Sequence, residues 1–432
     1  MIPYRKNTGI SGDFSIPNLI FEANTMNYNL LMDLAIDLGY ALAMSGAETF
    51  RVEESVTRLL TAYGVNSDVF AIPNYLMITL RDENGVPITR MRRIGYHGNN
   101  MDSVERYNSL SRVLSQETPD LNEAHAMLLE TRRRCRSYSL RTQYLGHIIA
   151  AGSMGVFFGG NWKDGVCAGL CGLLVGVVDR YLDRLKANQF FRTITSAFFM
   201  SMLAYLLSAL GFAPNPDAVS IGALMLLVPG LLFTNAMRDI IYGDTNSGVN
   251  RIVQVFLIAV ALSLGTAASW SIASRLFGIP ASAVTVDHSF AIQCILCFIG
   301  CIGFSILFNI HDLGLMICPL GAAVVWAVFC ITEGLTESGI MGYFWGAVAA
   351  SAYAEIMARI RKFPAITYLV ISIFPLIPGS GVYYTMNYAV RGEMEQFASQ
   401  GMYTAAIAGI MAVGILLVST VVRVYHNWKT RK

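Results

Sequence analysis

From about residue 142 the chain runs as long apolar stretches separated by short polar joints, whereas the preceding residues alternate apolar and polar positions with helical and strand periods. A lipid-crossing helix needs about 20 apolar residues to cover about 30 Å of hydrocarbon. Ten stretches meet or approach that length: 144–160, 165–182, 193–212, 218–240, 251–276, 290–308, 313–331, 340–358, 365–390 and 402–422. Cations collect at alternate joints. Arg132, Arg133, Arg134, Arg136 and Arg141 precede the first stretch, and Arg180, Arg184, Lys186 and Arg192 follow the second. Arg238 and Arg251 follow the fourth, Arg359, Arg361 and Lys362 the eighth, and Arg423, Lys429, Arg431 and Lys432 the tenth. Because Lys and Arg mark cytoplasmic loops, this predicts a multi-pass protein of the cell membrane with both termini in the cytoplasm.

The polar segment reads differently. Residues 1–25 hold Pro3, Gly9, Gly12 and Pro17 without periodicity, which predicts a flexible leader, and they lack a signal-peptide core. From Tyr28, Leu30, Leu31, Leu34, Leu38 and Leu42 recur at helical spacing, with Asp33 and Asp37 on one face. Ser45 to Glu48 reads as a capping box opening a second helix that Gly64 stops; the alternative is one helix bent at Gly46. Residues 69–80 predict a strand, Asn84-Gly85 a turn, 86–94 a partner strand, and 103–115 and 121–136 two helices. The expected fold is mainly α: a small cytosolic α+β domain (26–141) before ten transmembrane helices in two repeats of five, 142–276 and 290–432.

Composition narrows the function. Charged residues make up 14% and hydrophobic ones 54%, with a mean hydropathy of +0.49. A soluble domain carries about 25% charged residues, so a soluble enzyme is disfavoured. The net charge of +2 argues against a nucleic-acid partner. Cys294 and Cys297 form a CxxC, yet no second pair or histidine accompanies them, so the eight cysteines read as packing residues; neither a metal nor a cofactor is implied.

A shift of 149 residues lays five stretches on five, placing Pro229-Gly230 on Pro378-Gly379 and Gly265 on Gly414. An odd number of spans per unit turns the second copy over, and inverted repeats with matching helix breaks point to a secondary transporter with its solute near the midplane. Pro229-Gly230 lies about 15 Å in from the end of its stretch at 1.5 Å per residue. Beside the breaks Thr234, Asn235, Ser380 and Tyr384 offer neutral donors and acceptors for a small polar solute; the plainer reading is a packing kink with interhelical hydrogen bonds. Ionisable residues within spans are functional candidates by default. They are His147, Asp179, Asp239 and Glu355, the last being the deepest carboxylate and the first choice for carrying a coupling proton; snorkelling to water is the competing reading.

In the polar domain Gly46-Ala-Glu-Thr-Phe-Arg-Val-Glu-Glu54 is the sharpest cluster. Its Glu48–Arg51, Arg51–Glu54 and Glu54–Arg58 spacings fit a solvated helix face. This string, followed by ten spans with Pro-Gly in the fourth and ninth, resembles the threonine/serine exporter family. The resemblance runs from about residue 26 to the end. It implies export of threonine and serine from the cytoplasm driven by the proton motive force, and it adds weight to Gly46, Glu48, Thr49, Arg51 and Glu53. Some members are split into two chains, and such relatives are associated with succinate export, so a dicarboxylate is the alternative substrate. The implied partners are the small solute, protons and lipid; a homo-oligomer is left open. Two competitors remain: a membrane-anchored hydrolase acting through the polar domain, for which no nucleophile motif is present, and a polar domain that gates the carrier.

Overall fold

Leucines three and four apart build the first layer of the polar domain. In this computed structural model, which describes residues 26–95, 98–278 and 285–430, α1 (Tyr28–Met44) buries Leu31, Leu34, Leu38 and Leu42. The leader predicted for 1–25 lies outside the described residues. α2 (Thr49–Ala62) buries Val52, Val56, Leu59 and Leu60 against the same core. The expected capping box does not form. Gly46 takes φ +90° and ends α1, so Ser45 caps the preceding helix, its hydroxyl donating to Ala41 O at 2.7 Å. Glu48 then stands at the N-cap of α2 with no side-chain cap bond.

The single strand expected over 69–80 is a hairpin. β1 (Ser67–Ile72) and β2 (Tyr75–Arg81) pair antiparallel with Ile72 opposite Tyr75. Pro73 has no N–H for a ladder, which turns the chain there. β3 (Pro87–Arg93) follows the Asn84-Gly85 turn, where the Asp82 carboxylate accepts from the amides of Asn84 (2.9 Å) and Val86 (2.8 Å). The sheet order is β1-β2-β3, and Leu76, Ile78 and Leu80 of β2 point into the helical layer. Asp33 and Asp37 meet Arg90 and Arg92 of β3. α3 (Met101–Glu117) and α4 (Leu121–Arg134) complete the domain.

The apolar part folds as two runs of six helices. The first is α5 (Leu140–Phe157), α6 (Trp162–Arg184), α7 (Gln189–Ala209), α8 (Pro216–Leu224), α9 (Gly230–Tyr242) and α10 (Thr245–Phe277). The second is α11 (Phe290–Leu307), α12 (Gly314–Thr336), α13 (Gly339–Arg361), α14 (Ala365–Ser372), α15 (Gly379–Arg391) and α16 (Met394–Thr430). Packing repeats with them: α5–α6, α7–α10 and α9–α10 recur as α11–α12, α13–α16 and α15–α16. Among the described residues six helices, α6, α7, α10, α11, α12 and α16, are long and apolar enough to cross a membrane, and α14 with α15, bent by 43°, would make a seventh. Among the described residues ten spans of full length and apolarity are therefore not found, although each expected stretch is largely helical, the fourth and ninth with a break at Pro-Gly. α5 carries Arg141, Gln143 and His147, α13 carries Glu355 among aromatic residues, and α8 and α9 are each too short alone.

The runs grip each other reciprocally. α5 and α11 cross on small residues: Gly146 lies against Gly303 and Ile306, Gly303 against Ala150, and Gly300 against Ser153 and Met154. Rising numbers on one helix meet falling numbers on the other, so these equivalent helices run antiparallel. The segment before each run reaches the first loop of the other. Tyr138 donates its hydroxyl to Ile310 O (2.9 Å) and stacks on His311 with ring centroids 4.1 Å apart. His288 Nε2 donates to Gly160 O (2.8 Å), and Val286 N donates to Gly159 O (2.8 Å).

The polar domain docks on the second run. Met101 N donates to Phe308 O (2.9 Å), Asp102 N to Asn309 O (3.2 Å) and Arg112 Nη2 to Lys362 O (3.4 Å). At this junction burial pushes the Glu105 carboxyl up to about 7; Asp102 and Asp312 add to the rise, and Arg106 and Arg361 oppose it. A carboxyl raised on folding holds its proton in the native state across an interval in which the unfolded chain has already lost it. Its contribution to stability is thus complete below the ordinary value and declines as pH climbs toward about 7. The detergent-solubilised protein should lose more melting temperature between about pH 5 and about pH 8 than its Glu105→Gln variant, and equal slopes would remove Glu105 as the cause.

Candidate functional site

Both Pro-Gly pairs interrupt helices. Pro229 is the N-cap of α9 and Pro378 the N-cap of α15, with a 3-10 turn at Phe374–Leu376 before the second. The two new N-termini abut. A Cβ on Gly230 would overlap Ile377 Cγ2, and one on Gly379 would lie 2.7 Å from Val228 Cγ1. Ile377 and Val228 occupy equivalent positions in the two runs, so the exchange of contacts marks a local two-fold axis between the breaks. Each helix start leaves amides without intrahelical partners and carries about half a positive charge.

A cavity of ≈ 860 Å³ leads from the polar domain to this point. Its floor is Met225–Pro229, Phe374, Ile377 and Gly379. Its sides carry Gln143 and His147 of α5, Gln189 of α7, Asn235 of α9, and Arg251 and Gln254 of α10. The polar domain closes the top with Gly46, Ala47, the Pro73–Asn74 turn, Arg93 and Asn99.

The Gly46–Glu54 string has two sides: Glu54 and Arg58 pair on the solvated face expected from the spacing (3.8 Å), while Gly46, Glu48, Thr49 and Glu53 hold this roof in place. Arg238 of α9 meets Glu48 at 2.7 Å, with the side chains 11% and 19% exposed. Burial by itself would raise the Glu48 carboxyl, but Arg238, Arg51 and Arg251, together with the hydrogen bond from Arg238, hold it below its ordinary value. Arg251 donates to Thr49 Oγ1 (3.1 Å) and touches Asp239 at 2.9 Å without hydrogen-bond alignment. Glu53 Oε1 accepts from Ala71 N (2.8 Å), tying α2 to β1. Gly46 packs so closely on Asn99 that a Cβ would come within 2.6 Å of its Oδ1. Arg51 contacts Glu48 at 3.9 Å.

The residues expected from sequence divide into groups. Pro229, Gly379, Asn235 and His147 line the cavity, and Gly230 and Pro378 form the abutting helix starts. Thr234 is buried with its hydroxyl on Gly230 O (3.3 Å); Ser380 and Tyr384 lie half-buried on α15. Three carboxylates sit in ion pairs instead: Asp239 with Arg251, Asp179 with Arg192 (2.7 Å), and Glu355 with Arg359 (3.0 Å). His147 accepts the opposite placement, its Nδ1 2.8 Å from Gln143 O and its ring against Gly176. Sequence reasoning missed Gln143, Gln189, Gln254 and the site role of Arg238 and Arg251, which it counted only as loop cations. The signal available for Gln143 was its repeat mate Gln293, 150 residues on.

Membrane-length helices, paired helix breaks and a cavity reaching them from one side place this chain among multi-pass membrane transporters. A family model described as "Putative threonine/serine exporter" matches residues 33–273, and one described as "Threonine/Serine exporter, ThrE" matches 293–421. The chain belongs to the threonine/serine exporter family, whose members are membrane exporters and not an enzyme class. It is 21% identical over 413 residues to the "Threonine/serine exporter" of Corynebacterium glutamicum, covering 90% of this chain and 81% of that protein. It is 20% identical to the "Probable threonine/serine exporter" of Mycobacterium tuberculosis, covering 90% and 75%. The "Probable succinate transporter subunit YjjP" of Klebsiella aerogenes aligns with 56% of this chain and 94% of its own length at 22% identity. No solved structure matches the chain.

Proposed function

We propose that the chain is a secondary transporter that exports small hydroxy amino acids, threonine and serine, from the cytoplasm in exchange for protons. The supporting observation is the cavity that ends where two helix N-termini meet head to head. Helix starts offer amides to a substrate carboxylate, and carbonyls freed by the breaks suit an ammonium group. Asn235 lies one turn into α9, in reach of a side-chain hydroxyl. The antiparallel crossing of α5 with α11 supports ten spans as an inverted five-plus-five repeat, with α8–α9 and α14–α15 as broken spans. The Lys and Arg at alternate joints support both termini in the cytoplasm and the cavity facing inward.

The wall chemistry favours a zwitterion over a dicarboxylate such as succinate. A dianion needs two cations, yet of the two arginines on the lining, Arg251 faces Asp239 and only Arg93 of the roof carries no carboxylate among the ion pairs described; the side walls are otherwise amides, a histidine and apolar residues such as Leu232, Ile258 and Phe304. Among the coupling candidates His147 is the one on the cavity wall. The polar domain acts here as the inner roof. The test is flux of labelled threonine in reconstituted vesicles under an imposed pH gradient, with serine and succinate as competitors. Serine should compete and succinate should not; the reverse result would hand the site to the dicarboxylate. His147→Asn should lose the pH-driven component while threonine–threonine exchange continues, and unchanged pH dependence would clear His147 of coupling.

A further inference from the structure

The two-fold relation between the runs also marks a second, closed half of the path. Gln143 and His147 of α5, Asn235 of α9 and Arg251 of α10 line the inner cavity. Taken from the helix starts, which place α11 150 residues after α5 and place α15 and α16 149 residues after α9 and α10, their equivalents are Gln293 and Cys297 of α11, Tyr384 of α15 and Gln400 of α16. The equivalence extends to local bonding. Gln143 Nε2 donates to Tyr138 O (2.9 Å), five residues back, and Gln293 Nε2 donates to His288 O (3.0 Å), also five back.

The surroundings of the two glutamines differ. Beside His147, α6 presents Gly172 and Gly176, on which the His147 backbone and ring pack directly, and among the described residues no aromatic side chain of α6 stands over the α5 wall that lines the cavity. Against Gln293, α12 presents Trp326, whose Nε1 donates to Gln293 Oε1 at 3.1 Å. Trp326 sits inside a continuous run of rings. Its neighbours are Phe157 (centroids 4.7 Å apart) and Phe329 (4.9 Å), and Phe329 continues to Tyr343 (4.9 Å). Cys297, the equivalent of His147, is fully buried. The place where symmetry puts an outer cavity is thus filled with aromatic side chains, latched by the Trp326–Gln293 hydrogen bond, with Cys330 Sγ a longer second donor to the same oxygen (4.0 Å).

We propose that Phe157, Trp326, Phe329 and Tyr343 form the outer gate, and that Gln293, Cys297, Tyr384 and Gln400 line the exit half of the substrate path behind it. The assignment rests on the transporter reading above. When the two runs exchange conformations, the rings separate and the inner cavity closes. The exit half lacks the inner charges: Gln400 stands for Arg251 and Cys297 for His147. Its neutral lining suits a solute without net charge, such as a zwitterionic amino acid.

Cys297 supplies a native reporter. Full-length protein in right-side-out vesicles is exposed to a membrane-impermeant maleimide from outside, and labelling of Cys297 is followed by peptide mass spectrometry. Threonine loaded inside should speed labelling of Cys297 several-fold. Trp326→Ala should label it without threonine and let threonine leak, and Trp326→Phe, which keeps a ring but loses the latch, should fall between. Threonine flux with Cys297 never labelled, in wild type and in Trp326→Phe alike, would overturn the gate. Labelling in Trp326→Ala without threonine flux in the wild type would uphold the gate and refute the substrate instead.

Discussion

Replacing Gly230 by alanine should abolish threonine flux, because the added methyl overlaps Ile377 Cγ2 at the meeting point of the two helix starts. That Cγ2 sits on a β-branched carbon, so it cannot swing aside without a full change of rotamer. Overpacking of a close contact costs about 1–3 kcal/mol, and this one belongs at the upper end. The relief can be designed: Ile377→Ala in the same chain removes the obstructing atom, and the double variant should recover both melting temperature and flux. The mirror change, Gly379→Ala, meets Val228 Cγ1 at 2.7 Å and should be milder. A harmless Gly230→Ala would mean that the two helix starts do not touch during transport.

The second large effect belongs to the roof. Glu48→Gln leaves Arg238, only 11% exposed, without its carboxylate. Removing one partner of such a pair costs on the order of 3 kcal/mol, since the other charge stays where water reaches it poorly. The polar domain should therefore detach from α9, seen as faster proteolysis between the domain and α5 and as reduced flux. Exchanging the charges, Glu48→Arg with Arg238→Glu, should restore part of both. If Glu48→Gln melts and transports like the wild type, the pair has no role in holding the domain.

Much of this arrangement was legible in the chain. Leucine spacing marked α1, and the Pro-Gly pairs located both breaks to the residue, because proline and glycine impose the same backbone consequence in any surroundings. Pro73 was equally visible, yet a run of strand formers on both sides masked the hairpin it makes. Ser45 to Glu48 misled, since the capping pattern says nothing about a left-handed Gly46 one residue later or about an arginine 190 positions along the chain. The ion pairs were the least accessible. Arg238 and Arg251 look like ordinary loop cations until the fold turns them onto Glu48 and Asp239. Likewise Glu355 reads as a deep carboxylate by position, while Arg359, one turn on, already occupies it.

Tyr138 and His288 each leave their own half to fasten onto the opposite one. Backbone continuity between α10 and α11 is then not what keeps the halves together; each brings its own hook and its own eye. A gene severed at that junction should still yield two products able to clasp, which co-purification of the two halves expressed as separate chains would check.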